Sequence, residues 1–216
     1  MLRTTSLSLV LALLGWASAS WLTEDFQVWT AEGARRLGVI ERPVPAPAAV
    51  LAGPGITEIT QITQITQPSL PTWLTATGEV TIVAFFYTRC PTVCTALGST
   101  FEQLQQSIAP GDGVRLLTVS FDPAYDDAAR LQQYASQRRA DPGRWQVATV
   151  PDAAQLQRLL DAFQVVVIPD GLGGWEHNAA LLIVDERGRL VRIFDLTDHE
   201  TALAYARAIA RRGAAG

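Results

Sequence analysis

The spacing of hydrophobic residues after position 78 predicts alternating strands and helices. Residues 80–87 form a continuous apolar and aromatic run, which is typical of a strand buried on both faces. In the helix predicted from about 91 to 108, apolar residues recur at intervals of three and four, which places them on one face. The same reasoning predicts further strands at 114–120, 145–149, 180–185 and 190–194, and further helices that begin near 126, 152 and 198.

The order of these predicted elements indicates the fold class. It is βαβαβαββα, and a glycine-containing turn at 186–189 joins the last two strands. Alternating strands and helices predict an α/β fold with a mostly parallel central sheet, helices on both faces and a C-terminal β-hairpin. This is the element order of a thioredoxin-like fold.

The segment before this domain has a different character. Residues 1–22 combine Arg3, an apolar stretch and small residues at 17–19, a pattern that predicts a signal peptide or an N-terminal membrane anchor. Either interpretation predicts an exported protein. Residues 23–54 are predicted to be a proline-rich linker with a short helix, and 55–216 the folded domain. At the start of that domain, residues 56–67 repeat Ile-Thr-Glu once and Ile-Thr-Gln three times, which we interpret as a low-complexity insertion or an irregular edge strand.

The amino-acid composition excludes several kinds of functional site. All 17 basic residues are Arg, so a P-loop lysine and a Schiff-base lysine are excluded. A formal charge of −4 without a basic run argues against nucleic acid as a partner. With only two Cys and two His in the chain, a structural zinc site of four Cys is impossible.

Cys90 and Cys94 lie where the first buried strand is predicted to turn into a helix. Unpaired N–H groups and the positive end of the helix dipole favour the thiolate there, which is the form that attacks disulfides and binds metals. Residues four apart share a helix face, so the pair could form a disulfide or hold one soft metal ion. Two other interpretations remain open. The pair could be a structural disulfide, which would stabilise the fold little because the loop is so short, or Cys94 could be part of the hydrophobic core.

His177 is the candidate third ligand, because it lies in a glycine-rich loop just before a predicted buried strand. His199 lies between two acids at a predicted helix start, and we expect it to be a solvated cap residue. Two thiolates and one imidazole form a soft ligand set that selects Cu(I) and also accepts Cu(II), whereas zinc would need a fourth ligand.

The ordered combination of these motifs resembles the SCO/SenC family of thioredoxin-like copper proteins, over about residues 78–210. The resemblance rests on Cys-Pro-Thr-Val-Cys at 90–94, Ser-Phe-Asp-Pro at 120–123, and His177 before a strand that ends in Asp-Glu-Arg-Gly. It implies that Cys90, Cys94 and His177 are metal ligands, that Cys90 and Cys94 form a redox-active disulfide, and that Asp122 and Asp126 belong to an acidic segment near the site. Thr95 departs from the proline that commonly follows the second cysteine, and the Ile-Thr-Gln repeat replaces the usual strand and turn before the core domain.

The function implied by this resemblance is that of a metallochaperone. It would carry one copper ion, Cu(I) or Cu(II), per chain, and deliver it to the binuclear copper centre of cytochrome c oxidase or prepare the cysteines of that centre. Its partner would be the copper-bearing oxidase subunit or another copper chaperone, in the periplasm, with or without a tether to the inner membrane. The alternative is a periplasmic thiol–disulfide oxidoreductase that uses Cys90 and Cys94. A third reading is an exported binding module with a structural cysteine pair.

Overall fold

The chain divides into two compact units, Met1–Arg42 and Pro43–Gly216. The computed structural model describes residues 2–23, 28–56, 58–60, 64–66, 69–89, 93–171 and 173–213. The first unit contains α1 (Leu2–Leu22) and α2 (Ala31–Glu41), and Thr30 caps α2 by accepting a hydrogen bond from the backbone N–H of Gly33. No helix within the described ranges has both the length and the apolar character needed to cross a membrane.

The second unit contains a succession of short and long strands and helices. Its strands are β1 (Val44–Pro45), β2 (Glu58–Thr60), β3 (Gln64–Thr66), β4 (Val80–Phe86), β5 (Val114–Ser120), β6 (Trp145–Thr149), β7 (Val167–Pro169), β8 (Trp175–His177), β9 (Leu181–Val184) and β10 (Arg189–Phe194). Its helices are α3 (Leu70–Thr75), α4 (Val93–Ser107), α5 (Ala128–Gln137), α6 (Ala153–Ala162) and α7 (His199–Gly213), and a 3₁₀ turn at Leu196–Asp198 precedes α7.

The central sheet has the strand order β1-β10-β9-β4-β5-β6. The α/β class is confirmed, but the sheet is mixed rather than mostly parallel, because β4–β5 and β5–β6 are parallel while β1–β10, β10–β9 and β9–β4 are antiparallel. The C-terminal hairpin of β9 and β10 is present as predicted, and β1 pairs with its outer strand. Since an edge strand tolerates proline, Pro45 can pair with Arg189, and this segment of the predicted linker belongs to the second unit.

Neighbouring residues of β4 show that helices cover both faces of the sheet. The Phe86 ring lies 4.6 Å from the ring of Tyr134 on α5, and the Phe85 ring lies 6.4 Å from that of Phe163, which ends α6. Successive side chains of a strand point to opposite faces, so α5 and the end of α6 lie on opposite sides of β4. This agrees with the prediction of helices on both faces.

The parallel strands β4 and β5 end side by side, because Phe86 is the register partner of Ser120. The segments that follow them, 87–89 and 121–127, therefore leave the same edge of the sheet. Asp127 caps α5 by accepting a hydrogen bond from the N–H of Arg130 at 2.9 Å, as the sequence predicts for this region. The fold thus places the residues before Cys90 beside the acidic segment that contains Asp122 and Asp126.

The sequence does not predict three short features of the structure: the β2–β3 pair, helix α3 and the β7–β8 hairpin. Within the Ile-Thr repeat, β2 and β3 form an antiparallel pair outside the central sheet, where an insertion or an irregular edge strand is expected. Helix α3 follows, capped by Ser69. Strands β7 and β8 form a separate antiparallel hairpin, in which Val167 pairs with His177. This last hairpin matters most, because it carries the predicted histidine ligand.

Candidate metal centre

The structure describes the two predicted cysteine ligands to different extents. Cys90 lies outside the described residues. Cys94 is the second residue of α4, so its backbone occupies the first turn of the helix, as the sequence predicts, while its side chain also lies outside the description. Among the described residues, no group of three His, Cys, Asp or Glu side chains converges as a metal site. The described part of the candidate centre is therefore its histidine side and its supporting residues.

His177 ends strand β8 rather than lying in an irregular loop. The hairpin is closed by Asp170, whose backbone N–H donates to the carbonyl of Gly174 at 3.1 Å and whose carboxylate accepts from the N–H of Gly174 at 2.8 Å. At its base, the side-chain oxygen of Asn178 accepts a hydrogen bond from the N–H of Val166 at 2.8 Å. These bonds hold the backbone of His177 in one conformation, which is what a metal ligand requires.

The imidazole of His177 is the most unusual polar group of this region. Both ring nitrogens are buried, and neither has a hydrogen-bond partner among the described residues. The ring packs edge-on against Phe121, with the ring centroids 5.0 Å apart. Burial lowers the pKa of His177 below its ordinary value, which favours the neutral ring with a free nitrogen lone pair. Buried polar atoms without partners are rare, and a neutral imidazole is a common metal ligand, so this ring fits a metal ion.

Tyr87 connects the histidine hairpin to the segment that leads to Cys90. Its hydroxyl accepts a hydrogen bond from the N–H of Trp175 at 3.1 Å and donates one to the carbonyl of Trp175 at 3.2 Å. Its ring also lies 5.2 Å from that of Phe121, the same ring that contacts His177. Because Tyr87 is three residues before Cys90 and Trp175 is two before His177, the structure brings the cysteine segment and the histidine strand together.

Asp126 acts on the backbone of the same segment. It is fully buried, and its carboxylate accepts hydrogen bonds from the backbone N–H of Thr88 at 3.0 Å, from the Thr88 hydroxyl and from the Ser120 hydroxyl. A carboxylate that accepts from three donors of its own chain holds those donors in place. Asp126 therefore fixes Thr88, two residues before Cys90, to the end of β5.

Asp122 supports the neighbouring residue. Its carboxylate accepts a hydrogen bond from Arg89 at 2.6 Å, and its side chain is only 9% exposed. That bond is also the largest influence that raises the pKa of Arg89. Among the described residues, the partners of the two acids are donors of the strand-end segments, and both acids lie beside the chain that enters the cysteine motif.

Three further residues have positions or contacts that the sequence does not predict. His199 is half-buried and is the first residue of α7 rather than a solvated cap, and Asp195 is the N-cap of the 3₁₀ turn at Leu196–Asp198 that precedes it. Phe121 belongs to the motif at 120–123 and Tyr87 ends the apolar run at 80–87, but the sequence assigns neither of them a role at the site. Their ring contacts depend on pairing between distant segments, and the aromatic character of the two positions was the only local signal.

Comparisons with known proteins identify the family of this chain. The model of the SCO1/SenC family matches residues 70–212. The SCO1 protein homolog of Bacillus subtilis (strain 168) is 24% identical over 121 residues, which cover 55% of this chain and 63% of that protein. The match thus spans less than two thirds of that relative's own length.

Solved structures confirm the thioredoxin-like fold. Bradyrhizobium japonicum ScoI, with copper bound, has a TM-score of 0.58 and 22% identity, and the match covers 76% of this chain and 99% of that chain. A SCO1/SenC family lipoprotein from Bacillus anthracis str. Ames has a TM-score of 0.63 and 18% identity, covering 79% of this chain and 99% of that chain. Since the family model matches well over half of the chain, the protein belongs to the SCO1/SenC family.

Proposed function

We propose that this protein binds one copper ion per chain through Cys90, Cys94 and His177. It would then pass the copper to the binuclear copper centre of cytochrome c oxidase, or reduce the cysteines of that centre before they are loaded. The observation that carries the proposal is the buried imidazole of His177, whose two nitrogens have no partner among the described residues. Such an imidazole can bind a metal ion without first breaking a hydrogen bond to another described residue.

The position of Cys94 supports the same site from the other side. A thiolate in the first turn of α4 is stabilised by the helix dipole and by unpaired N–H groups. Tyr87 links the segment before Cys90 to the strand of His177 through two hydrogen bonds, which supports a site to which both segments would contribute ligands. Two sulfurs and one nitrogen suit copper, whereas zinc in proteins is almost always held by four ligands.

The place of action follows from the same proposal. The apolar residues 1–22 favour an exported protein that works in the periplasm, either released by cleavage or tethered to the inner membrane. The match to a family member named as a lipoprotein supports export. The copper acceptor or donor would be the copper-bearing oxidase subunit or another copper chaperone.

Metal analysis of the full chain tests the proposal. The reduced protein is dialysed against copper and zinc in competition, and the metal content per chain is measured. We expect one copper per chain, and we expect His177→Ala to lower the copper affinity by about 100-fold or more, since loss of a mere supporting partner of a ligand already costs 10–100-fold. His199→Ala, which removes the other histidine of the chain, is the matched control and should bind copper like the original protein. Preferential zinc binding, or equal affinities of the two histidine variants, would contradict the proposal.

Thiol–disulfide exchange is the second candidate function, and the helix-start position of Cys94 favours it. In each exchange, Cys90 and Cys94 would be oxidised to a disulfide while a disulfide of a partner protein is reduced to two thiols, so two electrons and two protons move together. This reaction requires only the sulfur atoms. Exchange rates that survive in His177→Ala while copper binding falls would separate the two activities.

A further inference from the structure

A polar pocket of about 330 Å³ lies beside the segment that leads to the cysteines. We call it the arginine pocket. One side is formed by Thr88, Arg89 and Tyr125, and the other by residues on one face of α5, namely Arg130, Gln133, Tyr134 and Gln137. Among its described lining residues there is no carboxylate. The pocket wall thus presents guanidinium, amide and hydroxyl groups.

The two arginines of the pocket share one aromatic ring. The guanidinium carbon of Arg89 lies 4.2 Å from the centroid of the Tyr125 ring, and that of Arg130 lies 4.1 Å from the same centroid. Cation–π attraction holds both groups in this arrangement, although their like charges repel each other. The two guanidinium groups therefore lie side by side at the pocket, where Asp122 pairs with one and Asp127 with the other.

Acidic neighbours orient the two guanidinium groups without using up their donors. Asp122 accepts from one terminal nitrogen of Arg89 at 2.6 Å, and Asp127 accepts from one terminal nitrogen of Arg130 at 2.6 Å. That nitrogen of Arg130 also donates to the carbonyl of Tyr125 at 2.9 Å. A guanidinium has five N–H donors. In the hydrogen bonds that the described residues make, the second terminal nitrogen and Nε of each arginine remain available.

These remaining donors can be reached from solvent. The side chain of Arg89 is 43% exposed and that of Arg130 is 44% exposed. Gln133 and Gln137 are also exposed and lie one helical turn apart on the same face of α5. Planar guanidinium groups that are already oriented bind carboxylates with good geometry, and the nearby amides can donate to the same ligand.

We propose that the arginine pocket binds carboxylate side chains on an acidic segment of the protein that exchanges copper or electrons with Cys90 and Cys94. Thr88 and Arg89 form part of the wall and directly precede Cys90, so a segment bound there is next to the cysteine motif along the chain. In a chain whose net charge is −4, exposed guanidinium donors at a pocket with no carboxylate among its described lining residues determine where an acidic partner docks. The identity of the partner rests on the proposed function, whereas the binding of carboxylates does not.

Nuclear magnetic resonance titration of the full, metal-free chain tests this site. The probes are acetyl-Glu-Glu-Glu-amide and acetyl-Lys-Lys-Lys-amide, added at low ionic strength. We expect the triglutamate to shift the amide signals of Thr88, Tyr125 and Arg130, and the trilysine to leave them unchanged. Added salt should weaken the triglutamate response, because these groups are partly exposed.

Substitutions locate the binding. Arg130→Gln should lower the affinity for triglutamate about two- to fivefold, which is the range of one partly exposed ion pair. Arg187→Gln is the matched control, since Arg187 is 72% exposed and follows β9 at the opposite end of the sheet from Arg89. Equal shifts with trilysine, or an affinity that Arg130→Gln does not reduce, would overturn the proposal. If Arg130→Gln does not fold, the same measurement on Arg89→Gln decides between these outcomes.

The copper analysis is independent of this titration. A chain that binds triglutamate but no copper would refute the proposed function and support carboxylate binding at the arginine pocket. A chain that binds copper but shows no preference for triglutamate would support the proposed function and refute carboxylate binding at the arginine pocket.

Discussion

Replacing Asp126 by alanine should destabilise the second unit more than any change at a neighbouring acid. Asp126 is fully buried, whereas the side chain of Asp127 is 57% exposed. The two acids are adjacent in sequence and both accept hydrogen bonds from the chain. They therefore form a matched pair that differs mainly in burial.

The expected magnitude follows from the groups that each substitution leaves behind. Asp126→Ala removes the acceptor of the Thr88 N–H and of the buried Ser120 hydroxyl. Each buried donor without a partner costs about 1–3 kcal/mol, so we expect a loss of about 2–6 kcal/mol in the free energy of unfolding. Asp127→Ala removes the cap of α5, which costs about 1 kcal/mol, and an exposed ion pair with Arg130 that contributes about 0–1 kcal/mol.

Urea unfolding followed by tryptophan fluorescence measures both losses. Asp126→Asn retains one acceptor and should fall between the original protein and Asp126→Ala. Amide hydrogen exchange at Thr88 should also become faster in Asp126→Ala, because its N–H loses its partner. If Asp126→Ala is no less stable than Asp127→Ala, Asp126 does not anchor the segment before Cys90.

Three further outcomes are expected from other parts of the structure. Tyr87→Phe removes both hydrogen bonds to the backbone of β8, so it should cost about 1–2 kcal/mol in urea unfolding and lower copper affinity about tenfold. Burial lowers the pKa of His177 from 6.5, so the unfolded chain takes up a proton at a higher pH than the folded chain. The free energy of unfolding of the metal-free protein should therefore fall as the pH drops below about 6.5, and His177→Phe should remove this part of the pH dependence. Arg115 is buried over the ring of Trp73 at 3.8 Å, and burial lowers its pKa to about 10. Arg115→Ala should cost about 2–3 kcal/mol, whereas Arg187→Ala, at an exposed position, should change thermal or urea stability by less than about 0.5 kcal/mol. A thermal or urea midpoint that Arg115→Ala leaves unchanged would show that this guanidinium contributes no net stability.

The central part of the fold could be predicted because its pattern is local and repeated. The run that became β4 is apolar at every position except Thr81, and the apolar residues of α4 recur at helical spacing. Asp127 and Asp152 cap their helices as their positions before apolar stripes indicate. The backbone of Cys94 lies in the first turn of α4, as the sequence predicts.

Several features that escaped prediction depend on contacts between residues that are far apart in the sequence. Strands β7 and β8 are each three residues long, and the hydrogen bonds between Tyr87 and Trp175 join residues that are 88 positions apart in the sequence. Strand β1 contains proline, which indicates a linker until its pairing with β10 is known. Asp126 has the local appearance of a turn residue, and only the fold shows that it is buried against Thr88 and Ser120.

Copper K-edge X-ray absorption of the copper-loaded, reduced chain tests the central claim most directly. We predict sulfur scatterers together with one imidazole nitrogen in the original protein. In His177→Ala the imidazole signal should disappear, while in His199→Ala it should persist. An imidazole signal that survives in His177→Ala, or a spectrum without any nitrogen ligand in the original protein, would contradict a copper site shared by Cys90, Cys94 and His177.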